Sequence, residues 1–256
     1  MSIRSKIQAL ITAANTKTGE SDTTLTDAVQ TLVDGYGQGG TTISDGIVVK
    51  ARDANGYATE IDFYGSTVQP FQFFGQNSSN TAWKSLSNIN WKDTVVGVKN
   101  NAFMYANRIT ALPTSIVSVG ASGCANMAAL ASVNMPNLTT VAVSAFYGDT
   151  SLTSIILPKV TNAGFNNVFG GCTSLTTAQL GSIGYGVTNI SNTAFVSDTQ
   201  SGLTITIYTN GSYADTVTAN ARNKATNATI IIKASEATTY GGTSYAAGDT
   251  ILTSTP

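Results

Sequence analysis

The chain has 256 residues, enough for one large domain or two small ones, and carries a net charge of −1 with only 11% charged residues. No Lys/Arg cluster is present, so the electrostatic footprint of a nucleic-acid binder is missing. With 42% hydrophobic residues and no histidine, the composition argues against a disordered chain, a Ser-His or Cys-His dyad and a histidine metal site.

In chain order, residues 1–40 read as a helical module. Ile3, Ile7, Leu10, Ile11 and Ala14 follow helical spacing, as do Leu25, Ala28, Val29, Leu32 and Val33. Thr24 or Thr26 suits a helix cap, and the run GYGQGG from Gly35 ends the second helix. Two such helices have too little core to stand alone. They are expected to attach the chain to other proteins or to oligomerise it, through Ile3, Ile7, Leu10, Ile11, Leu25, Val29 and Leu32. Packing of this pair on the rest of the same chain is the alternative. The segment LITAANTKTG from Leu10, with LTDAV from Leu25 and GYG from Gly35 after it, resembles the amino-terminal segment of many phage and prophage tail-region proteins.

Residues 41–94 read as a β-hairpin and cap. Two alternating runs, Ile47 to Arg52 and Tyr57 to Tyr64, flank Asp53-Ala-Asn-Gly56, and Asn-Gly there signals a hairpin turn. The run from Thr67 to Phe74 predicts a third strand whose aromatics cover the open first rung of a repeat stack beginning near Val95. Trp83, Leu86, Ile89 and Trp91 belong to that cap or to a degenerate leading repeat. An aromatic sugar-binding platform is the sharper alternative for them.

From residue 95 to 209 the chain repeats itself. The phrases VVGVKNNAF, IVSVGASGC, LTTVAVSAF, VTNAGFNNVF and VTNISNTAF end at residues 103, 124, 146, 169 and 195, in steps of 21, 22, 23 and 26. Between them stand ITALP at Ile109, LASVNMP at Leu130, LTSIILP at Leu152 and LTTAQLG at Leu175. The first, fourth and sixth residues of these second phrases, such as Leu152, Ile155 and Leu157, are expected to point inward. One unit cannot bury its apolar face, whereas stacked units share a continuous core. A period of twenty-odd residues is that of a solenoid, leucine-rich repeats included. At about 4.8 Å per strand, five rungs span roughly 20 to 25 Å. The terminal Phe residues are expected to form an aromatic ladder on the opposite side.

These phrases resemble the BspA-like class of leucine-rich repeat, with VFGGCTSL from Val168 and LTSIILP from Leu152 as the best copies. The resemblance runs from Val95 to about Lys233 and implies binding or scaffolding in a bacterial surface or phage virion protein. Cys124 stands in the Phe column and Cys172 in the Cys column two repeats on. A spacing of about 10 Å or more exceeds the roughly 7 Å reach of a disulfide. Both therefore read as small buried hydrophobes.

Residues 210–256 read as a C-terminal helix-strand cap and β tail. The helix is placed from Ser212 or Asp215 to about Ala225, and the final strand from Ala228 to Lys233. A turn and hairpin fall between Tyr240 and Asp249.

The fold class predicted is thus mainly β, a leucine-rich-repeat-type solenoid of about five rungs with an N-terminal helical module and a β-hairpin cap. Phosphate loops, EF-hand loops and facing catalytic carboxylates are absent, so no enzyme, cofactor or metal is expected. The opening residues hold no apolar run long enough for a secretory signal, and no run approaches a membrane span. The expectation is a virion protein, a tail fibre, baseplate or head-fibre component, made in the host cytoplasm. Its partners are other virion proteins and a host-surface glycan or protein, and a homo-oligomer, a trimer first, is expected. A bacterial BspA-like adhesin and a purely architectural decoration protein are the rivals. Outward positions by the one-four-six pattern are Ala111, Ser132, Asn134, Ser154, Ile156, Thr177 and Gln179, and simple alternation in the last strand adds Thr206 and Tyr208. Asn134, Ile156, Gln179 and Tyr208 are the candidate receptor contacts.

Overall fold

A computed structural model describes residues 47–69, 72–73, 83–198 and 201–256. The helical module predicted for residues 1–40 lies outside the described residues.

The described residues open with a hairpin of β1 (Ile47–Arg52) and β2 (Ala58–Phe63). Its turn is held by the Asp53 carboxylate, whose Oδ1 accepts the N–H groups of Asn55 and Tyr57 at 2.9 and 3.0 Å, with Gly56 at φ 83°. The third strand expected from Thr67 to Phe74 is reduced to β3 (Thr67–Val68). It pairs with a repeat strand rather than with the hairpin. A leading turn does form. β4 (Asn88–Trp91) runs parallel to β2, and Leu86 and Ile89 are buried in the one-four positions of the repeat pattern. This turn corrects the expected count of about five rungs to about six, because the pattern starts before Val95.

The rungs then build two sides of sheet. On one side lie the two-residue strands β5 (Gly97–Val98), β6 (Ser118–Val119) and β8 (Thr140–Val141), in parallel order β3-β5-β6-β8. Val68, Val98, Val119 and Val141 stand in register along their inner face. β10 (Asn162–Ala163) and β12 (Asn189–Ile190) form a parallel pair of the same kind.

The longer strands are β7 (Ser132–Asn134), β9 (Ser154–Leu157), β11 (Thr177–Leu180), β13 (Thr204–Thr209) and β14 (Thr229–Ala234). They pair in parallel, and β17 (Thr250–Ser254) adds to β14 antiparallel. Val133, Ile155, Ala178, Ile205 and Ile230 form one inner row; Leu157, Leu180, Ile207 and Ile232 form the next. All of them are buried. The rung of Ile109 and Leu112 makes no strand, so this sheet begins one rung later than the pattern implies.

The third side is the aromatic column. Phe73 stacks on Phe103 at 5.2 Å, Phe146 on Phe169 at 6.2 Å and Phe169 on Phe195 at 5.4 Å, with Cys124 filling the gap. Here the rungs are tied by backbone bonds: Phe103 N–H to Gly123 O at 2.8 Å, Cys124 to Ala145 at 2.9 Å, Phe146 to Val168 at 2.9 Å. The turn needs left-handed backbone on both flanks. Two residues before the column, Asn101, Ser122, Ser144 and Asn167 have φ of 50 to 57°. Two after it, Tyr105, Asn126, Gly148, Gly171 and Ser197 have φ of 56 to 74°. Asn and Gly tolerate that region best, which is why they recur there.

At the entry end Phe63, Phe73, Trp83 and Trp91 pack edge-on at 5.4 to 5.9 Å. Trp83 and Phe73 are buried, so this cluster closes the core and offers no open sugar platform. At the exit end a 3-10 turn (Gly211–Tyr213) leads into α1 (Ala214–Arg222), which starts between the two expected places and stops short of Ala225. Asn210 caps the entry by accepting the Ser212 N–H at 2.8 Å. Val217 and Ala221 bury one face of α1, and Arg222 donates to the carbonyls of Ala228 and Ser254. β15 (Thr238–Tyr240) and β16 (Thr243–Tyr245) form the small hairpin expected near Tyr240.

One internal column is not announced by the repeat phrases. Three residues after each column position come Ala106, Met127, Asp149, Cys172 and Asp198, all buried. Asp149 accepts the Met127 N–H at 2.7 Å through Oδ1, but its Oδ2 has no partner among the described residues. Neither oxygen of Asp198 has one. Burial pushes Asp149 well above the ordinary 3.8, with the Met127 N–H pulling the other way. Burial lifts Asp198 to about 7, tempered by the N–H groups of Cys172 and Gly171, which do not reach hydrogen-bond geometry.

Packing this tight is measurable. Leu157→Ala should cost about 2 to 5 kcal/mol, the range for large-to-small changes at a fully packed site, read by urea unfolding. A loss below about 0.5 kcal/mol would place the side chain outside the core. A second expectation concerns pH. Asp149 and Asp198 both titrate higher in the folded state than the 3.8 of the unfolded chain, so their stabilisation is full below 3.8 and lost as pH rises, for Asp198 through about 7. Asp53, held low chiefly by the Ser85 hydroxyl, acts oppositely and only as pH falls below 3.8. So does Asp62, where the Asn90 and Lys92 contacts outweigh a burial that alone would raise it. Stability should therefore increase from pH 7 toward pH 4, by up to about 1.4 kcal/mol per pH unit for each buried carboxyl. Asp198→Asn should flatten that slope in thermal melts; an unchanged slope would mean Asp198 is already solvated.

Candidate functional site

Alternation in the long sheet puts every second side chain outside. One outward row runs Ser132, Ser154, Thr177, Thr204 and Thr229. The next runs Asn134, Ile156, Gln179, Thr206, Ile231 and Thr253. Six strands at about 4.8 Å give a face roughly 24 Å across. Neither row holds a charged residue.

Asn134 is exposed, while Ile156 and Gln179 are half-buried by their neighbours, and the three stand side by side in one row. Tyr208 lies on the same face but not in that row. It pairs with Lys233, two residues farther along the strands, and the Lys233 ammonium sits 5.8 Å from the ring centre. The row's fourth member is Thr206. Ala111 is exposed but belongs to no strand. Ile231 and Thr253 extend the row beyond the positions that repeat spacing picks out. Burial of Ile230 and Ile232 puts Ile231 outward by simple alternation, a signal present in the run TIIIKA. Thr253 joins through an antiparallel pairing that no repeat announces.

The Asn134, Ile156 and Gln179 side chains lie on the outer face, Ile156 and Gln179 on strands paired on both sides and Asn134 on the edge strand β7. Gln179 alone has a local bond, donating Nε2 to Gly181 O at 3.3 Å. The arrangement offers hydroxyl and amide groups around two aliphatic patches. It can form hydrogen bonds and exclude water over a broad area, and it has no groups placed for acid-base chemistry. Both thiols are buried, and burial pushes Cys124 and Cys172 well up, so neither is a ready nucleophile. Among the described residues no cluster of three or more His, Cys, Asp or Glu could hold a metal, and no helix is long and apolar enough to cross a membrane.

The family model described as BspA type leucine rich repeat region matches six copies over residues 77–211. No curated protein matches the chain. A crystal structure of a leucine-rich repeat protein from Bacteroides ovatus is similar over 58% of this chain at 20% identity, with a TM-score of 0.46. This chain spans 37% of that one. The matched copies cover more than half of the chain and coincide with its stacked rungs. It belongs to the BspA-type leucine-rich repeat family.

Proposed function

We propose that this is a non-enzymatic contact protein that uses the outward face of its long sheet to hold a macromolecular surface. A repeat solenoid of this family supports a protein-interaction or adhesin-like role. The observation that carries the proposal is the uncharged row Asn134, Ile156, Gln179, Thr206 and Ile231, presented on a rigid parallel sheet. Such a face suits neutral glycans or protein loops better than charge-steered partners. Solenoids commonly bind along extended faces of this kind.

In the finer reading the protein is a phage or prophage virion component whose residues 1–40 attach it to other virion proteins, as a homo-oligomer. The resemblance of the segment from Leu10 to Gly37 to phage tail-region proteins supports it. A bacterial BspA-like surface adhesin is favoured equally by the family match. Immunogold electron microscopy with antibodies to the full chain, on induced phage particles and on whole bacteria, separates the two. Label on particles supports the virion reading, and label confined to the cell envelope replaces it with the adhesin.

The contact face has its own test. Asn134→Ala, Ile156→Glu and Gln179→Ala combined should leave the fold intact, because all three point outward. Retention of the labelled full-length protein on bacterial cells should fall about tenfold or more, since charge is placed at the centre of a dry contact. Unchanged retention by a folded variant would move the contact elsewhere.

A further inference from the structure

The stack is regular at its first corners, where Pro113 ends the strandless rung and Pro136 and Pro158 come after β7 and β9. At the fourth corner the proline gives way to Gly181 and the insertion Ser182-Ile183-Gly184-Tyr185-Gly186, five residues where the corner before has Lys159 alone; with the following phrase one residue shorter, the step jumps from 23 to 26. The insertion is a built turn. Ser182 and Tyr185 form an antiparallel bridge, with N–H to carbonyl distances of 3.0 and 2.9 Å, and Gly184 has φ 80°. It is fastened to the exit strands: Gly184 donates to Ser235 O at 2.8 Å and Val187 to Tyr208 O at 2.7 Å. Lys159 stands 5.8 Å over the Tyr185 ring.

This turn and the C-terminal ends of β13 and β14 enclose a cleft of about 340 Å³. That volume is at the small end of ligand sites, which run to about 1,000 Å³. Its lining is polar and almost uncharged: Thr161, Thr188, Asn210, Ser235 and Glu236, with Tyr213 at one side. None of the outward contact residues lines it. Asn210 is fixed in orientation, accepting the Ser212 N–H at 2.8 Å and donating Nδ2 to Glu236 Oε1 at 3.0 Å. The Ser235 side chain is nearly buried, at 4% exposure, and its hydroxyl packs directly against Gly186. A side chain at Gly186 would collide with that hydroxyl and displace Ser235 from the lining. Three large apolar side chains stay exposed on or beside the rim: Ile183 at 59%, Tyr185 at 41% and Tyr213 at 40%.

We propose that this cleft binds a neutral saccharide, a mono- or disaccharide unit, with Asn210, Glu236 and Ser235 bonding ring hydroxyls and Tyr213 covering a sugar face. A sugar needs paired donors and acceptors together with an apolar surface for its C–H face. The carboxylate at Glu236 and the absence of Lys or Arg from the lining select against sialic acid, sulfated sugars and phosphate. The cleft is independent of the contact face, so either can fail without the other.

Saturation-transfer NMR of the full chain with D-glucose, D-galactose, N-acetyl-D-glucosamine and L-rhamnose, each at about 10 mM, tests this, because a site with Kd near 1 mM would be filled. N-acetylneuraminic acid serves as the anionic control. At least one neutral sugar should give a signal and the control none. Tyr213→Ala, at an exposed position, should weaken the signal about threefold to tenfold. Glu236→Ala should weaken it as well, and Gly186→Val should abolish it if that variant folds. No signal from any neutral sugar, or a signal unaffected by both Tyr213→Ala and Glu236→Ala, overturns the proposal.

Discussion

Every feature of this protein depends on the register in which one rung lies on the next. Backbone N–H groups reach the neighbouring rung in both sheets and again along the aromatic turn, so each rung fixes the height of its successor at about 4.8 Å. In-register stacking also decides composition. A charged residue at a repeated outward position would face its own copy one strand away, and like charges opposite each other destabilise a sheet. Hydroxyl residues escape that penalty and add a bond. Thr139, Thr153 and Thr176 donate to Val117, Ala131 and Thr153 carbonyls of the preceding rung at 3.3, 3.0 and 3.0 Å. The 11% charge is the chemical signature of a ladder, and it leaves a surface fit for neutral partners.

Much of this was legible because a solenoid writes the same instruction many times. The triplet Leu152, Ile155 and Leu157 is spelled again at Leu130 and Leu175, and all nine of those positions are buried. The Phe column was equally readable, down to Cys124 taking an aromatic place. Reading failed where the copies differ. Leu86 and Ile89 start a turn without the preceding phrase, so the count began one rung late. Asp149 and Asp198 occupy a core column with residues that hydropathy assigns to the surface, and only counting three places from each Phe exposes them.

The candidate contact face was half legible for a related reason. The one-four-six spacing puts Asn134, Ile156 and Gln179 in one row because their strands are true copies. The next strand is offset: Leu203 precedes the paired segment by one place, so Tyr208 aligns beyond Gln179 and Thr206 takes the row. Register between strands of unequal phrase length is set by pairing, and spacing alone does not reveal it. The cleft by the fourth corner was invisible as a site. It arises from the four extra residues at that corner, which a repeat search treats as noise.

The antiparallel strand β17 has a consequence for the growth of such a structure. A parallel stack exposes at its last strand a template on which another copy could polymerise, the hazard of every unpaired edge. Here the edge of β14 is occupied by a strand running backwards, with a register irregularity between Ile232 and Lys233 and with Arg222 holding the Ser254 carbonyl. Reversal breaks the phase of the repeat, so a further rung of the same kind finds no matching ladder. The stack is given a finite length on that side by direction, without a bulky lid. Filament formation is thereby discouraged in a chain whose low charge would otherwise do little to prevent it.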